Sequence, residues 1–466
     1  MIMHIMELRR YFAPLNFYKY ALSLSIPIIV QMFIQNFVSL IDNFMVANLG
    51  NIKMSAVNTA NQITFLFFVS IATLAIGGGI YMAQANGAGS IKDMQQSYKF
   101  KLLSMAFVAS IMILTSYFFP HWVLKMLLRG NDDMEAIIKE GTPYLKLIAI
   151  SFVPITASTA ISSSLRDIGK VRAPMYIVIA STLVNSVFNY CLIYGHLYMP
   201  RLEVRGAAYA TIIARIFELL AYLIYLRRLR PHFYTSVLHV FKIDISTFAK
   251  IFKCAIFVFI ADMSWAISET VAVAVYNGRG DSAVVAGMAA GWTIANLFFL
   301  IFPTVSTSVS VIVGTTLGRG ELDRAREEAR WLRVAAFILG TFVALLELTS
   351  IFFIPLIYGA LTIDAQLIIR KLLIIVAFYM PLWTYQNAQY ATARAGGDTV
   401  MSVWIDCTVN LGLFMPGMII LGFFDLFDAP SMYGIVKITS AVKAILASHV
   451  LKKERWVRRI VNVQSQ

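Results

Sequence analysis

The sequence predicts an all-α integral membrane protein with twelve transmembrane helices in two six-helix bundles, from its composition, its apolar runs and an internal repeat. Hydrophobic residues make up 59% of the 466-residue chain and charged residues only 14%. A soluble domain has roughly 45–50% apolar and about 25% charged residues. A chain of this composition would expose too much apolar surface in water, so a lipid bilayer is its expected solvent.

Twelve apolar runs are long enough to cross a hydrocarbon core of roughly 30 Å as helices. The first run is too long for a signal peptide and lacks a small-residue cleavage site, so we count it as a span. The predicted spans are 20–46, 56–83, 102–119, 144–164, 174–194, 206–226, 251–276, 284–313, 332–354, 372–392, 401–423 and 432–451. An even number of spans places both termini on one side of the membrane.

The formal net charge of +14 is concentrated in short loops between these runs. Loops holding Lys92, Arg172 and Arg228 alternate with shorter acidic loops, which include Asp132 and Asp425. Because Lys and Arg mark cytoplasmic loops, we expect a multi-pass plasma-membrane protein with both termini in the cytoplasm. The positive charge therefore indicates topology rather than binding to nucleic acid.

Four landmarks recur in the two halves at a nearly constant spacing. The pairs are Gly50 and Gly280 (230 positions apart), Gly87 and Gly318 (231), Pro154 and Pro381 (227), and Arg166 and Arg394 (228). Both halves have six spans and begin on the same side, so they are predicted to be parallel repeats about a pseudo-twofold axis along the membrane normal. We therefore divide the chain into an N-lobe (1–226), a cytoplasmic connector (227–250) and a C-lobe with a basic cytoplasmic tail (251–466). Such lobes enclose a central cavity and give alternating access by rocking.

Signatures of enzymes and cofactor sites are missing from the sequence. There is no Gly-x-x-x-x-Gly-Lys-Ser/Thr phosphate loop and no His-Glu-x-x-His, and the six histidines are scattered. Cys191, Cys254 and Cys407 have no Cys or His partner at metal-ligand spacing. The glycine triplet 77–79 lies in an apolar run, where close helix packing is the favoured interpretation. We expect no enzymatic activity, no cofactor and no bound metal.

Carboxylates within apolar runs indicate where function lies. An ionised Asp at the centre of a membrane helix costs about 2.5–3.5 kcal/mol, so such a residue faces a cavity, forms a pair or exchanges a proton. Asp42, far from any Lys or Arg in its own span, is the leading candidate to hold a proton or a cation. Asp262, with Trp265 one turn on, is the corresponding polar position in the seventh span.

Other in-span polar residues are candidates for a substrate cavity. Glu218, Glu269 and Asp406 either line a cavity or serve helix packing alone, and these alternatives stay open. Gln35 in the first span is a further cavity candidate.

Two amides share one face of the fifth span, because Asn185 and Asn189 are four residues apart. Neutral amides cost less to bury than carboxylates and can ligate an ion or a solute. With Tyr190 and Tyr194 nearby, this face is predicted to be a cavity wall. A purely structural hydrogen-bond ladder is the alternative.

An ordered set of motifs runs along nearly the whole chain, at 27–31, 42–46, 49–50, 84–89, 185–195, 206–211, 314–318 and 394–399. In this order, over two six-helix halves, the set resembles the multidrug and toxic compound extrusion (MATE) transporters of the bacterial type. The resemblance implies a V-shaped pair of six-helix bundles that exports organic, often cationic and amphipathic, compounds by antiport with protons or sodium ions. We expect a monomer whose partners are a small organic solute, the coupling ion and the lipid bilayer.

The resemblance also implies roles for particular residues. The cation-coupling carboxylate of the family maps onto Asp42, and its fifth-span amide maps onto Asn185. One branch of the family has an Asp where this chain has Asn189, so the proton relay of that branch is not fully reproduced. Another branch uses acidic residues in the seventh and tenth spans; Asp262 or Glu269 could serve as the first, but the tenth span has no internal carboxylate.

A cation-coupled exporter is therefore the leading hypothesis, with ion binding at Asp42 favouring closure on the outside. The first alternative is a lipid-linked-precursor flippase of the same two-lobe plan, which usually needs extra helices or a strongly cationic cavity. The sequence shows few in-span bases, with Arg215 as an exception. The second alternative, a nontransporting receptor or scaffold, is disfavoured because the sequence contains no sizeable soluble domain.

Overall fold

The computed structural model describes residues 12–128, 133–235, 239–359, 361–424 and 426–461, and the side chains in these ranges except at positions 40, 43, 44, 47, 51 and 279. The loop residues Asp132 and Asp425, and the ends of both termini, lie outside the described residues. Within the described ranges, every regular element is a helix. This is expected in a bilayer, where a helix satisfies its own backbone hydrogen bonds.

The helices of the first half are α1 (Leu15–Ala47), α2 (Asn51–Gly87), α3 (Ile91–Phe118), α4 (Pro120–Leu127), α5 (Met134–Ile150), α6 (Phe152–Asp167), α7 (Arg172–Tyr194) and α8 (Glu203–Leu229). Those of the second half are α9 (Ile245–Arg279), α10 (Ser282–Phe298), α11 (Ile301–Arg319), α12 (Leu322–Ser350), α13 (Ile354–Ile357), α14 (Ile363–Ala395), α15 (Val400–Asp406), a π-helical segment (Cys407–Phe414), α16 (Met415–Phe424), α17 (Ala429–Val436) and α18 (Thr439–Lys452).

Eleven stretches of the described residues are long and apolar enough to cross a membrane, and the bent pair α5–α6 makes up to twelve. The bend of 42° lies at Ser151, inside the predicted fourth span. Pro154 in the first turn of α6 contributes to the break, because its ring clashes with the carbonyl group four residues earlier. Ser151 Oγ donates to the Ile148 carbonyl at 2.6 Å. The prediction of twelve spans is confirmed, with the fourth span bent.

The two halves repeat each other at their sharp turns. Gly89 and Gly320, 231 positions apart, have φ of +67° and +83°, and they follow α2 and α11. Gly169 and Gly397, 228 positions apart, have φ of +79° and +75°, and they follow α6 and α14. Glycine adopts this left-handed conformation without steric cost. The offsets seen in the sequence therefore correspond to equivalent turns between equivalent helices.

The helices form two compact units. The N-terminal unit comprises the described residues of Ile26–Met82 and Ser90–Ala255. The C-terminal unit comprises those of Met1–Ser25, Ala83–Gly89 and Ile256–Gln466. The lobe boundaries at 226 and 251 stay a prediction.

In the N-terminal unit, α8 packs against α5, α6 and α7, and α3 packs against α5 and α6. The glycine triplet of α2 allows other chain segments to approach closely. A Cβ on Gly77 would overlap the Ala255 side chain, and one on Gly79 would overlap the Asp167 carboxylate. The prediction that the triplet serves helix packing is confirmed.

In the C-terminal unit, α14 is the central helix and packs against α10, α11, α12, α17 and α18. Gly340 on α12 leaves room for Pro381 and Thr384 of α14, because a Cβ there would contact both residues. The end of α2 also belongs to this unit. Gln84 donates to the Ala395 carbonyl and accepts from the Ile460 amide, each at 2.8 Å. The central position of α14 places several of its polar side chains, including Gln386, Asn387 and Arg394, in the wall of a cavity in this unit.

Candidate functional site

A polar cluster in the N-terminal unit joins Asp42 on α1 to Asn185 on α7. The Asn185 side-chain amide is assigned in the orientation in which both its nitrogen and its oxygen have a hydrogen-bond partner. In this orientation the nitrogen donates to Asp42 Oδ2 at 2.9 Å and the oxygen accepts from the Thr211 amide at 3.3 Å. Asn189 is buried one turn further along α7, and its side chain comes within 3.4 Å of that of Asn185. The structure therefore brings the three predicted coupling residues together.

Two oxygen atoms of this cluster, Asp42 Oδ1 and Asn189 Oδ1, are buried and have no hydrogen-bond partner among the described residues. Buried polar atoms in native proteins nearly always have a partner. A proton on the carboxyl group, a cation or a water molecule would each supply one. The arrangement can therefore accept a single positive charge within a membrane span.

The candidates Gln35 and Tyr190 lie on the same two helices as this cluster, α1 and α7. Tyr194 donates from its hydroxyl to the Met45 carbonyl at 2.9 Å and so ties the end of α7 to α1. Tyr190 is exposed and stacks on His196, with 4.5 Å between ring centroids. Gln35 is half-buried on α1, two turns before Asp42.

Glu218 on α8 is buried and already paired. It forms an ion pair with Arg215 at 2.7 Å and accepts from Ser181 Oγ at 3.5 Å. Because Ser181 lies on α7, these contacts join α7 to α8. The arrangement supports the structural alternative for Glu218.

The C-terminal unit holds a cavity of about 530 Å³ between α9, α10, α11, α14 and the last helices. All four predicted cavity residues of this half line it, namely Asp262, Trp265, Glu269 and Asp406. Six of the other lining residues are aromatic, namely Trp292, Phe299, Phe302, Trp383, Tyr390 and Tyr433. A cavity of this volume, with aromatic side chains and polar groups that converge on it, is typical of sites for small organic ligands.

Each carboxylate of this cavity has a basic partner. The pairs are Asp262–Arg394, Glu269–Lys437 and Asp406–Lys443. With three acids and three bases, these groups carry no net formal charge. Pairing explains how six charged groups are held within membrane spans, because an unpaired charge there is costly. A cationic solute would therefore have to compete with a Lys or Arg for any of the three carboxylates.

The pairs differ in how tightly they are held. Asp406 Oδ1 accepts from Lys443 Nζ at 2.8 Å and from the Tyr390 hydroxyl at 3.0 Å. In contrast, Asp262 Oδ1 lies 3.6 Å from Arg394 Nη2, and the Asp262 side chain is 39% exposed. Arg394 Nε is buried without a partner among the described residues. Asp262 and Arg394 are thus the pair most available to a solute.

Sequence reasoning missed Lys437 and Lys443, which lie in the predicted last span. The sequence was expected to have few bases within spans, with Arg215 as an exception. This expectation is wrong, because Lys437 and Lys443 are buried in the last span and Lys101 is buried on α3. Lys437 Nζ pairs with Glu269 and lies 4.1 Å from the centroid of the Phe414 ring. The sequence signal that would have found them is the presence of two lysines in an apolar run of the half that also holds carboxylates within spans and without a predicted partner.

The π-helical segment was also missed. It begins directly after Asp406, and its Asn410 side chain donates to Ser264 Oγ on α9 at 3.3 Å. Insertions of this kind change the direction in which the following side chains point, and they are frequent at functional sites.

Comparisons with known proteins agree with this architecture. A profile of the MatE family matches residues 27–191 and 255–418, two segments that begin 228 positions apart. The uncharacterized transporter YisQ of Bacillus subtilis (strain 168) is 23% identical over 441 residues, which are 94% of each chain. The probable multidrug resistance protein YoeA of the same bacterium is 25% identical over 386 residues, 79% of each chain.

A solved structure shows the same fold. The MATE transporter VcmN of Vibrio cholerae superposes with a TM-score of 0.81 at 17% identity, covering 95% of this chain and 98% of that one. The fold predicted from sequence, with twelve spans in two six-helix bundles, is confirmed. With the family profile matching most of both halves, this chain belongs to the MatE family of membrane transporters.

Proposed function

We propose that the protein is a secondary active exporter that moves organic, amphipathic compounds, cationic ones among them, by antiport with protons or sodium ions. The contact between Asp42 and Asn185 carries the proposal. Beside it lie two buried oxygens without partners, Asp42 Oδ1 and Asn189 Oδ1. Coupling to an ion gradient requires a group inside the membrane that gains and loses one positive charge, and this cluster has the chemistry to do so.

In the proposed cycle, the coupling ion enters from the outside and binds at Asp42, with Asn185 and Asn189 as neutral partners. Binding removes the net charge of the carboxylate, so the cost of enclosing it falls and the state closed to the outside is favoured. Each positive charge that moves inward contributes about 2.3 kcal/mol per 100 mV of membrane potential. The ion leaves on the cytoplasmic side, where both termini are placed in this proposal.

The cavity of the C-terminal unit supports an organic substrate. Trp265, Trp292 and Trp383 offer flat apolar surfaces to aromatic solutes. A cationic solute would compete with Arg394 for Asp262, the most exposed of the three carboxylates. The names of relatives point the same way, since YoeA is described as a probable multidrug resistance protein. We further propose that the protein works as a monomer in the plasma membrane.

The test is efflux of a fluorescent organic cation from loaded vesicles, with a pH gradient and a sodium gradient imposed separately. We expect one of the two gradients to drive efflux, and Asp42→Asn to abolish that drive. Asp281→Asn is the matched control, because Asp281 is an exposed N-cap that accepts from the Val284 amide, a role that Asn also fills. Full coupled efflux in Asp42→Asn would contradict the role of Asp42. Tight binding without gradient-dependent flux would favour the receptor alternative.

The flippase alternative is weaker. A pyrophosphate-linked substrate needs a cavity with uncompensated positive charge, whereas Arg394, Lys437 and Lys443 each face a carboxylate. No specific observation in the described residues favours it over the exporter.

A further inference from the structure

We infer that the C-terminal unit carries a binding site for an anionic phospholipid, formed by a basic pocket and an adjoining apolar groove. The basic pocket has a volume of about 560 Å³ and is distinct from the aromatic cavity. Among the described residues, its charged lining comprises Arg326, Arg330, Arg333 and Lys452 and one acid, Glu454. This site is independent of the proposed transport function.

The arginines come from one face of α12, since they are spaced by four and three residues. Arg326 is already engaged, with Asp323 at 2.6 Å and Glu454 at 2.9 Å. Arg333 and Lys452 have no carboxylate partner among the described residues. Positive charge therefore remains in the pocket after its own acid is paired.

The geometry of Arg333 suits an anion. Its Nε donates to the Ala329 carbonyl at 3.1 Å, which holds the side chain along α12 and leaves its terminal nitrogens for another acceptor. Lys452 is the last residue of α18 and is exposed. An Arg fork with an adjacent ammonium group is a common arrangement for phosphate recognition.

The basic pocket continues into an apolar groove between α14 and α18. The two share Tyr385, Ser448 and Lys452 in their linings, so they form one continuous surface. Beyond these residues the groove is lined by the apolar side chains of Leu382, Ala441, Ala444 and Ile445, and by His449 near its basic end. The small side chains at 441 and 444 leave room along α18, and Ile445 is 68% exposed. A phosphate at one end and an acyl chain along the groove match this surface.

The depth of the pocket matches a lipid headgroup. The helix α12 begins at Leu322, whereas its apolar run begins near position 332, so Arg333 lies where the charged first turns meet the hydrocarbon core. The distribution of Lys and Arg predicts that this end is cytoplasmic, the side on which anionic lipids attract basic pockets between helices. A soluble phosphate would use the basic pocket alone, whereas the groove favours a lipid.

Native mass spectrometry of the purified protein in detergent tests this site, with phosphatidylglycerol and phosphatidylcholine of matched acyl chains offered in equal amounts. We expect retention of one phosphatidylglycerol with roughly 30-fold preference, since two charge contacts are each worth about 1 kcal/mol near a membrane surface. The double variant Arg333→Gln/Lys452→Gln should lose that preference. The control Arg227→Gln/Arg228→Gln should keep it, because these two bases are exposed in the last turn of α8 and line neither the pocket nor the groove.

Two further measurements distinguish binding of a lipid from binding of free phosphate. Ala441→Phe fills the groove and should reduce phosphatidylglycerol retention, whereas inorganic phosphate at millimolar concentration should not displace the lipid. An unchanged preference in the double variant, an equal loss in the Arg227/Arg228 control, or displacement by inorganic phosphate would each overturn the inference. Because all substituted residues lie at the surface or in the groove, size-exclusion profiles should match that of the wild type. A variant with an altered profile is replaced by the single changes Arg333→Lys and Lys452→Gln, which should lower the preference in part.

Discussion

Asn185 donates a hydrogen bond to Asp42 Oδ2 over 2.9 Å and thereby joins α7 to α1. The other oxygen of that carboxylate has no partner among the described residues. Asn185 therefore holds one oxygen of the carboxylate, and the other oxygen is the one to which the proposed coupling ion would bind. The proposed coupling depends on this division, and the first prediction tests it.

Asn185→Ala removes the hydrogen bond to Asp42 Oδ2. We expect gradient-driven efflux to fall by roughly 10-fold or more, because a hydrogen bond to a charged group contributes about 1.5–3 kcal/mol. The measurement is the initial rate of efflux from vesicles. Asn48→Ala is the control, since the exposed Asn48 amide donates only to the Tyr194 hydroxyl, at 3.3 Å. Equal rates in Asn185→Ala and wild type would exclude a role for this contact in coupling.

The charge balance of the aromatic cavity predicts opposite effects for the two partners of one ion pair. Lys437→Met frees Glu269 and should raise the affinity for an organic cation by roughly 10-fold. Glu269→Gln leaves Lys437 without its carboxylate and should lower that affinity. Lys371→Met is the control, because Lys371 pairs with Asp428 outside the cavity at 2.6 Å. Affinity is measured by the fluorescence of a bound cationic dye; a change of the same sign in both variants would contradict the prediction.

The ion pair of Lys101 and Asp167 stabilises the N-terminal unit. Lys101 is fully buried, and its Nζ contacts the Asp167 carboxylate and lies 3.2 Å from Ser163 Oγ. Lys101→Met should cost about 3–5 kcal/mol, because it leaves the Asp167 carboxylate without a counter-ion. The double change Lys101→Met/Asp167→Asn should recover much of that loss. The measurement is thermal unfolding in detergent, and a double variant as unstable as the single one would show that the charge is not the cause.

Close packing of α2 predicts contrasting effects for two Gly→Ala changes. Gly77→Ala places a Cβ against Ala255 and should destabilise the protein by about 1–3 kcal/mol. Gly412→Ala meets no atom within 4 Å and should be neutral or slightly stabilising, since Ala is the better helix former. Both are read from thermal unfolding. Similar unfolding temperatures for the two variants would mean that the contact with Ala255 relaxes at little cost.

Asp244 caps α9, the helix that carries Asp262 and Glu269. Hydrogen bonds from the side chain of Ser246 and from Thr247 hold the pKa of Asp244 below its usual range near 3.9. A carboxylate with a lowered folded-state pKa adds stability that is present above its unfolded-state pKa and is lost as the pH falls towards the folded-state value. Asp244→Ala should therefore lower the unfolding temperature at pH 7 and have a smaller effect at pH 3.

Asp244→Asn is the matched control, because an Asn side chain also accepts hydrogen bonds at a helix N-terminus. It should be more stable than Asp244→Ala at both pH values, because it keeps hydrogen-bond acceptance, and it should lose only the charge-dependent part of the wild-type stability at pH 7. An Asp244→Ala effect that is equal at pH 7 and pH 3 would show that the carboxylate charge plays no part.

Much of this architecture could be predicted because a bilayer restricts the secondary structures that a spanning segment can adopt. Apolar runs of about 20 residues can only be spanning helices. Glycine and proline at offsets near 228–231 mark equivalent turns, since Gly89 and Gly320 share the same left-handed backbone. The co-location of Asp42 and Asn185 was predicted by resemblance to a family, whereas Trp265 beside Asp262 followed from helical spacing.

The lysines of the last span are visible in the sequence, but which carboxylate each of them pairs with could not be predicted. Lys437 and Lys443 are 168 and 37 positions from Glu269 and Asp406, and no local pattern joins them. The π-helical segment after Asp406 interrupts a helix at a place where propensity alone shows no break.

The amino-acid sequence therefore decides the membrane class, the number of spans and the twofold repeat of this protein, because these depend on hydrophobicity and local backbone preferences. The state of each buried charge is decided by three-dimensional packing, because the stability of a charge in a low dielectric depends on which group faces it. Asp42 and Asp406 are both carboxylates in apolar runs. In the folded chain Asp406 pairs with Lys443, whereas Asp42 contacts the amide of Asn185 and has no basic partner among the described residues, which is why the proposed ion site lies at Asp42.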